Sequence, residues 1–225
     1  AAYIKGCFDE VFDKWGFDLV KLDFLYSACI QPRRNKTRGR IMCEAMDFLR
    51  VCCRDKLILG CGAPLGPSFG VVDACRISCD AELSFKEKFY VKVTNQEIVS
   101  THNSMTNSIF RRHLSGRAFI NDPDVFFLRD EPTKGSGKPA VYTETQKELL
   151  ATVNNMFGRV LFVSDNAGDY DEKRLARLKH FFTRSTAVVT DASYVSPERI
   201  HVDYTQDGAA HVLELDLRSG EHTVK

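Results

Sequence analysis

Five short apolar runs alternate with segments of helical period, and this alternation limits the fold more than any other feature of the chain. The runs are centred near Val20, Ile58, Ala74, Phe119 and Leu161. They read as strands buried on both faces. Between them, Ile4, Cys7, Phe8, Val11, Phe12 and Trp15 keep the spacing of one helix face, closed by Gly16. A second helical period runs from Thr37 to Arg54, with Ile41, Ala45, Phe48, Leu49 and Cys52 on its apolar side. A third helix is expected over "HNSMTNSIFRRHL", capped by Asn103 or Ser104. Thr143 and Gln146 have capping-box spacing ahead of a helix that stops at Gly158, and "DEKRLARLKHFFTR" reads as one more helix. "APLGPSFG" and "DEPTKGSGKP" read as loops. Strand and helix in alternation predict a parallel α/β sheet with helices packed outside it. After about Ala187 the pattern turns to short β-type runs, with "QDG" as a hairpin turn. The expected division is an α/β region over 1–185 and a small antiparallel β-domain over 186–225.

Composition narrows the function classes. The formal net charge of the 225 residues is +1, a balance that does not suggest a nucleic-acid partner, and none is expected. The one basic cluster, Arg33 to Arg40, reads as a solvated loop leading into a helix. No apolar window is long enough to cross a bilayer, so no membrane partner is expected. No secretory signal opens the chain. None of the eight cysteines stands in CxxC spacing. They read as buried free thiols of a reducing compartment, and a cytoplasmic location is expected. The chain starts without Met, directly in a helical pattern, as an excised piece of a longer protein would.

Charges gather at the C-terminal ends of the expected strands. They are Lys21 and Asp23, Arg76 and Asp80, Asp122 and Asp124, and Asp165, with Cys61 and Gly62 closing the second strand. Parallel α/β folds bind and react at that edge. A buried carboxylate without a partner costs several kcal/mol, about 2 to 7 for a polar group and more for a charge, so such acids are paired or used. Two carboxylates on different strands suit glycoside hydrolysis, one as nucleophile and one as general acid/base, about 5 to 5.5 Å apart in a retaining enzyme. Lys21 beside Asp23 would favour its ionised form. The same residues also admit structural readings. Lys21 with Asp23 can be an ion pair, Asp80 a cap, Cys61 a packed thiol and Arg76 a partner for a carboxylate. "NDPD" reads as a turn rather than a metal site, and the six histidines have no ligand spacing.

Four motifs in order, "KLDFLY", "ILGCGAPLG", "VDACRISCD" and "INDPDVFFLR", resemble the α-galactosidases of glycoside hydrolase family 36, over about the first 165 residues. The resemblance implies a (β/α)8 TIM-type barrel, here strands four to eight, followed by a C-terminal antiparallel β-domain. It implies a retaining hydrolase of α-galactosides that needs no metal or organic cofactor. Asp23 would be the nucleophile and Asp80 the acid/base. Lys21, Cys61, Gly62 and Arg76 would contact the sugar. Ile77 departs from the family pattern, since many members have an aromatic residue there. The acidic pair that the family takes from its first barrel strand has no counterpart here.

Two rival readings remain open at this stage. One is a non-catalytic fragment that binds carbohydrate or packs against a partner chain. The other is a relative that transfers galactose to a second sugar. A half-barrel also leaves open strand edges, which predicts a homo-oligomer or the remainder of a longer chain as partner.

Overall fold

The computed structural model describes residues 1–86, 99–132 and 138–225. Residues 133–137, in the middle of the second expected loop, lie outside the described residues. The fold is mixed α/β, with a parallel sheet and a C-terminal antiparallel sheet. The chain divides into two compact units. One comprises Ala1–Ile77 and His113–Asp122, the other Ser78–Arg112 and Pro123–Lys225.

The first unit opens with α1 (Ala2–Asp9), which widens into a π-helical turn over Glu10–Lys14. Gly16, at φ +74°, ends it as expected. β1 (Leu19–Leu22) follows, and then a 3-10 turn over Leu25–Cys29. α2 (Arg38–Cys53) begins where Thr37 accepts a hydrogen bond from the Arg40 amide. In the preceding basic cluster, Lys36 and Arg40 both pair with Glu44. β2 (Leu57–Gly60) leads to one helical turn, α3 (Leu65–Ser68), inside the stretch expected to be pure loop. Ser68 Oγ donates to the Pro64 carbonyl there, which gives this buried hydroxyl a partner. β3 (Ala74–Arg76) and β4 (Ile120–Asp122) complete the sheet.

These four strands lie in the order β1-β2-β3-β4, all parallel. The register Lys21–Leu59–Ala74–Ile120 puts alternate residues of all four strands on a common face. The opposite face carries Val20, Leu22, Ile58, Cys75 and Ile77, packed with Phe8, Phe12, Ile41, Met42 and Met46 of the helices. At the N-terminal edge, Arg50 of α2 pairs with Asp73 at 2.6 Å and donates to the carbonyls of Lys56 and Val71. Asp73 also accepts from the Ile58 amide. This clamp fixes the strand starts at the edge opposite the candidate site.

β1 corrects one expectation. It is not buried on both faces, because Leu19, Lys21 and Asp23 are exposed while Val20 and Leu22 are half-buried. Among the described residues β1 pairs only with β2, so an edge strand keeps a solvated side.

In the second unit, α4 (Thr101–Phe110) is capped by Ser100, which accepts from the Asn103 amide. The expected caps fall inside the helix, and Ser104 donates to the Pro123 carbonyl instead. The fifth expected strand shortens to β6 (Phe162–Val163), which pairs in parallel with β5 (Val125–Phe126) in a sheet of its own. The break before β5 is local. Pro123 has no amide hydrogen and Asp124 sits at φ +82°, so a strand ladder cannot run through them. α5 (Glu144–Phe157) has the expected capping box of Thr143 and Gln146. α6 (Glu172–Phe182) is capped by Asp171.

Four antiparallel strands follow: β7 (Val188–Ser196), β8 (Arg199–Gln206), β9 (Ala209–Asp216) and β10 (His222–Val224). Asp207 and Gly208, both at positive φ, make the β8–β9 turn that "QDG" predicted. Ile200, Val202, Leu213 and Leu215 of this sheet share one buried cluster with Phe126, Leu149 and Leu150. No helix among the described residues is long and apolar enough to cross a membrane.

Candidate active site

β1 ends one residue before Asp23. Phe24 then takes a left-handed conformation, φ +53°, unusual for a bulky side chain. The Asp23 carboxylate explains how that turn is held, since its Oδ1 accepts from the Phe24 amide at 2.7 Å. The chain after β2 makes a matching turn. Cys61 donates its amide to the Leu22 carbonyl at 2.8 Å, and Gly62 accepts from the Tyr26 amide at 2.8 Å. Gly62 stands at φ +55°, where a Cβ would lie 3.1 Å from Phe24 Cα and 3.4 Å from Asp23 Oδ1. Only glycine fits that approach without displacing backbone.

Carried one step past the paired residues, the sheet register puts Asp23, Cys61, Arg76 and Asp122 in one row across the C-terminal edge. The row directly below is Lys21, Leu59, Ala74 and Ile120, mostly apolar. Polar groups therefore collect at the one edge where parallel folds place their chemistry. Arg76 Nε lies 3.2 Å from Asp122 Oδ2, with both side chains buried, 4% and 0% exposed.

The electrostatics of Asp23 follow from these neighbours. Partial burial pushes its carboxyl up. The Cys61 thiol, the Phe24 amide and the charges of Lys21 and Arg76 together outweigh that and hold it below the ordinary carboxylate value. Asp23 is thus an exposed acid kept ionised. Cys61 carries the reciprocal effect, since burial and then the Asp23 hydrogen bond push its thiol up to about 11. It is a protonated donor to Asp23 at neutral pH.

All eight thiols are free. Cys29, Cys52, Cys53, Cys61 and Cys75 are buried as read from the sequence, whereas Cys7 and Cys43 are exposed and Cys79 is intermediate. Burial raises Cys53 to about 11 and Cys75 to about 12.

The first unit therefore brings together Lys21, Asp23, Cys61, Gly62 and Arg76. Asp80 is exposed and lies in the second unit, two residues past its first residue, Ser78. Two contributors were missed in the sequence. The Phe24 amide holds Asp23, and no side-chain pattern signals a backbone donor. Asp122 pairs with Arg76, and its only signal was a second charge at a strand end. Asp124 and Asp165 are engaged within the second unit, where Asp165 also pairs with Arg129 Nε at 3.2 Å and accepts from the Tyr170 hydroxyl. Asp124 accepts from the Ala81 amide at 2.6 Å, and Asp165 from the amides of Leu128 and Arg129 at 2.6 and 3.0 Å.

Comparison with protein-family models finds no match for this chain. Its fold is similar to solved α-galactosidases. TtGalA, the α-galactosidase from Thermus thermophilus solved with p-nitrophenyl α-D-galactopyranoside, superposes with a TM-score of 0.68 at 22% identity, covering 91% of this chain and 40% of that one. The same enzyme solved with stachyose gives 0.65 at 22% identity, over 81% of this chain and 38% of that one. α-Galactosidase I from Mortierella vinacea gives 0.59 at 12% identity, over 92% and 54%. The likeness is one of fold, and the chain spans about two-fifths of the length of the Thermus enzyme.

Proposed function

We propose that this chain is the second half of a (β/α)8 barrel with a C-terminal β-domain, from a retaining α-galactosidase of glycoside hydrolase family 36. The single observation that carries the reading is the polar row at the C-terminal sheet edge, with Asp23 exposed there and held ionised. The fold likeness to α-galactosidases supports it. So do the edges of β1 and β4, each paired on one side only among the described residues, as strands inside a larger barrel would be.

In this reading Asp23 attacks the anomeric carbon of a terminal α-galactose and the glycosidic oxygen leaves. A covalent galactosyl-enzyme forms. Asp80 donates a proton to the leaving oxygen, then takes one from the water that releases the sugar. Lys21 and Arg76 offer cationic donors to the sugar hydroxyls and oppose protonation of Asp23. Cys61 and Gly62 form the floor beneath the nucleophile, and Gly62 leaves the space that a side chain would occupy. No cofactor takes part.

The test is hydrolysis of an aryl α-galactoside by the full-length polypeptide, followed by NMR of the first sugar released. α-Galactose as first product supports the reading and β-galactose contradicts it. Galactose binding in calorimetry without turnover would select the non-catalytic alternative. Galactosylated acceptor sugar as the main product would select transfer.

A further inference from the structure

We infer that Asp122 is a positioning residue for this site: it anchors the Arg76 guanidinium in the row that carries Asp23 and Cys61. The inference rests on the function proposed above and adds a residue that the motif resemblance leaves unassigned.

Three observations carry it. Arg76 and Asp122 are register partners on neighbouring parallel strands, so their side chains rise on the same face at the same level. They meet at 3.2 Å through Nε and Oδ2, almost wholly buried. In the row below them Leu59, Ala74 and Ile120 are apolar and only Lys21, on the edge strand, is charged, so packing alone does not require a buried charge pair on this face. A buried ion pair adds little net stability over well-packed apolar residues, because desolvation offsets the attraction. Its place beside an exposed acid is explained if it fixes a cation that the acid needs. Arginine suits that role, because its planar fork stays oriented once one nitrogen is tied. The Arg76 charge is also among the influences that hold Asp23 low, with burial opposing and Cys61, the Phe24 amide and Lys21 acting in the same direction.

The experiment is a carboxyl-carbon NMR titration of Asp23 in the full-length protein and in Asp122→Asn. The two accounts of Asp122 predict opposite signs. If Asp122 is only a nearby negative charge, removing it lowers the Asp23 pKa. If it anchors Arg76, the guanidinium moves off and the Asp23 pKa rises, by about 0.5 to 1 against the 1 to 3 that an adjacent arginine supplies. A rise supports the inference, and a fall or no change overturns it. Should Asp122→Asn fail to fold, Asp122→Glu keeps the charge, shifts the anchor by one methylene and must give a rise too. Where the wild type is active, kcat/KM should drop about tenfold in Asp122→Asn and less than about twofold when the same change is made in an Arg76→Met background. Multiplying losses would mean that Asp122 does not act through Arg76. An inactive wild type would sink the hydrolase reading yet leave the titration of Asp23 interpretable.

Discussion

A Cβ on Gly62 would stand 3.1 Å from both the Cα and the amide nitrogen of Phe24. The turns after β1 and β2 therefore interlock, and Asp23 is held between them by the Phe24 amide and the Cys61 thiol.

Gly62→Ala tests that interlock. An alanine must adopt left-handed backbone and push Phe24 aside, at a cost of about 1 to 3 kcal/mol. The expected result is a matching loss in denaturant midpoint together with a raised Asp23 pKa, because the Phe24 amide no longer points at the carboxylate. An unchanged midpoint would mean that the two turns are not locked together.

Cys61→Ala removes a donor that favours the charged form of Asp23. Protonation then sets in at higher pH, so the acid limb of the kcat/KM profile moves upward. Cys61→Ser keeps an O–H and should move it less. The stability term has the same origin. A carboxyl held low in the folded state contributes above its unfolded pKa, and the contribution fades as pH falls through the folded value. Asp23 is exposed, so this term is small beside the kinetic one.

Thiol chemistry should divide by burial. A maleimide at neutral pH is expected to label Cys7 and Cys43 first, both exposed, and to reach Cys53, Cys61 and Cys75 only on unfolding. Those three have folded values of about 11, 11 and 12 against an ordinary 9.0. Their contribution to stability is complete below pH 9 and is lost as pH rises toward 11 to 12. Chemical unfolding measured between pH 8 and pH 11 (about the range these thiols span) should show declining stability, less so in Cys75→Ala.

Ile58 is 1% exposed, on the sheet face opposite the site. Ile58→Ala should cost about 2 to 5 kcal/mol through lost contacts and a residual cavity. Urea denaturation would read it, and a change under about 1 kcal/mol would mean that the core collapses to fill the gap.

The sequence made much of this legible, for identifiable reasons. Hydrophobic period located α1 and α2, although of the expected face α1 buries Phe8 while Ile4 and Cys7 stay exposed. The capping-box spacing of Thr143 and Gln146 marked the start of α5. The hairpin at Asp207 and Gly208 was readable because its backbone demands residues that tolerate positive φ. Tertiary context was not readable. β1 looked buried because Leu19, Val20 and Leu22 are apolar, yet an edge strand leaves one side open. The cap of α4 is Ser100 because the helix begins at Thr101, ahead of the expected start, and Ser104 lies inside it with its hydroxyl on the Pro123 carbonyl. The separate β5–β6 pair depended on a positive φ at Asp124, a non-glycine residue. In the site, Lys21, Asp23, Cys61, Gly62 and Arg76 were visible as strand-end residues. The Phe24 amide was invisible, since a backbone donor has no residue type.

The most direct test of the central claim is covalent trapping of the full-length protein with a 2-deoxy-2-fluoro-α-galactosyl substrate that carries a good leaving group. After proteolysis, mass spectrometry is expected to find one fluorogalactosyl adduct on the peptide bearing Asp23, and Asp23→Ala should abolish it along with about a thousandfold or more of kcat. An adduct on another carboxylate, or Asp23→Ala hydrolysing at the wild-type rate, would contradict the account.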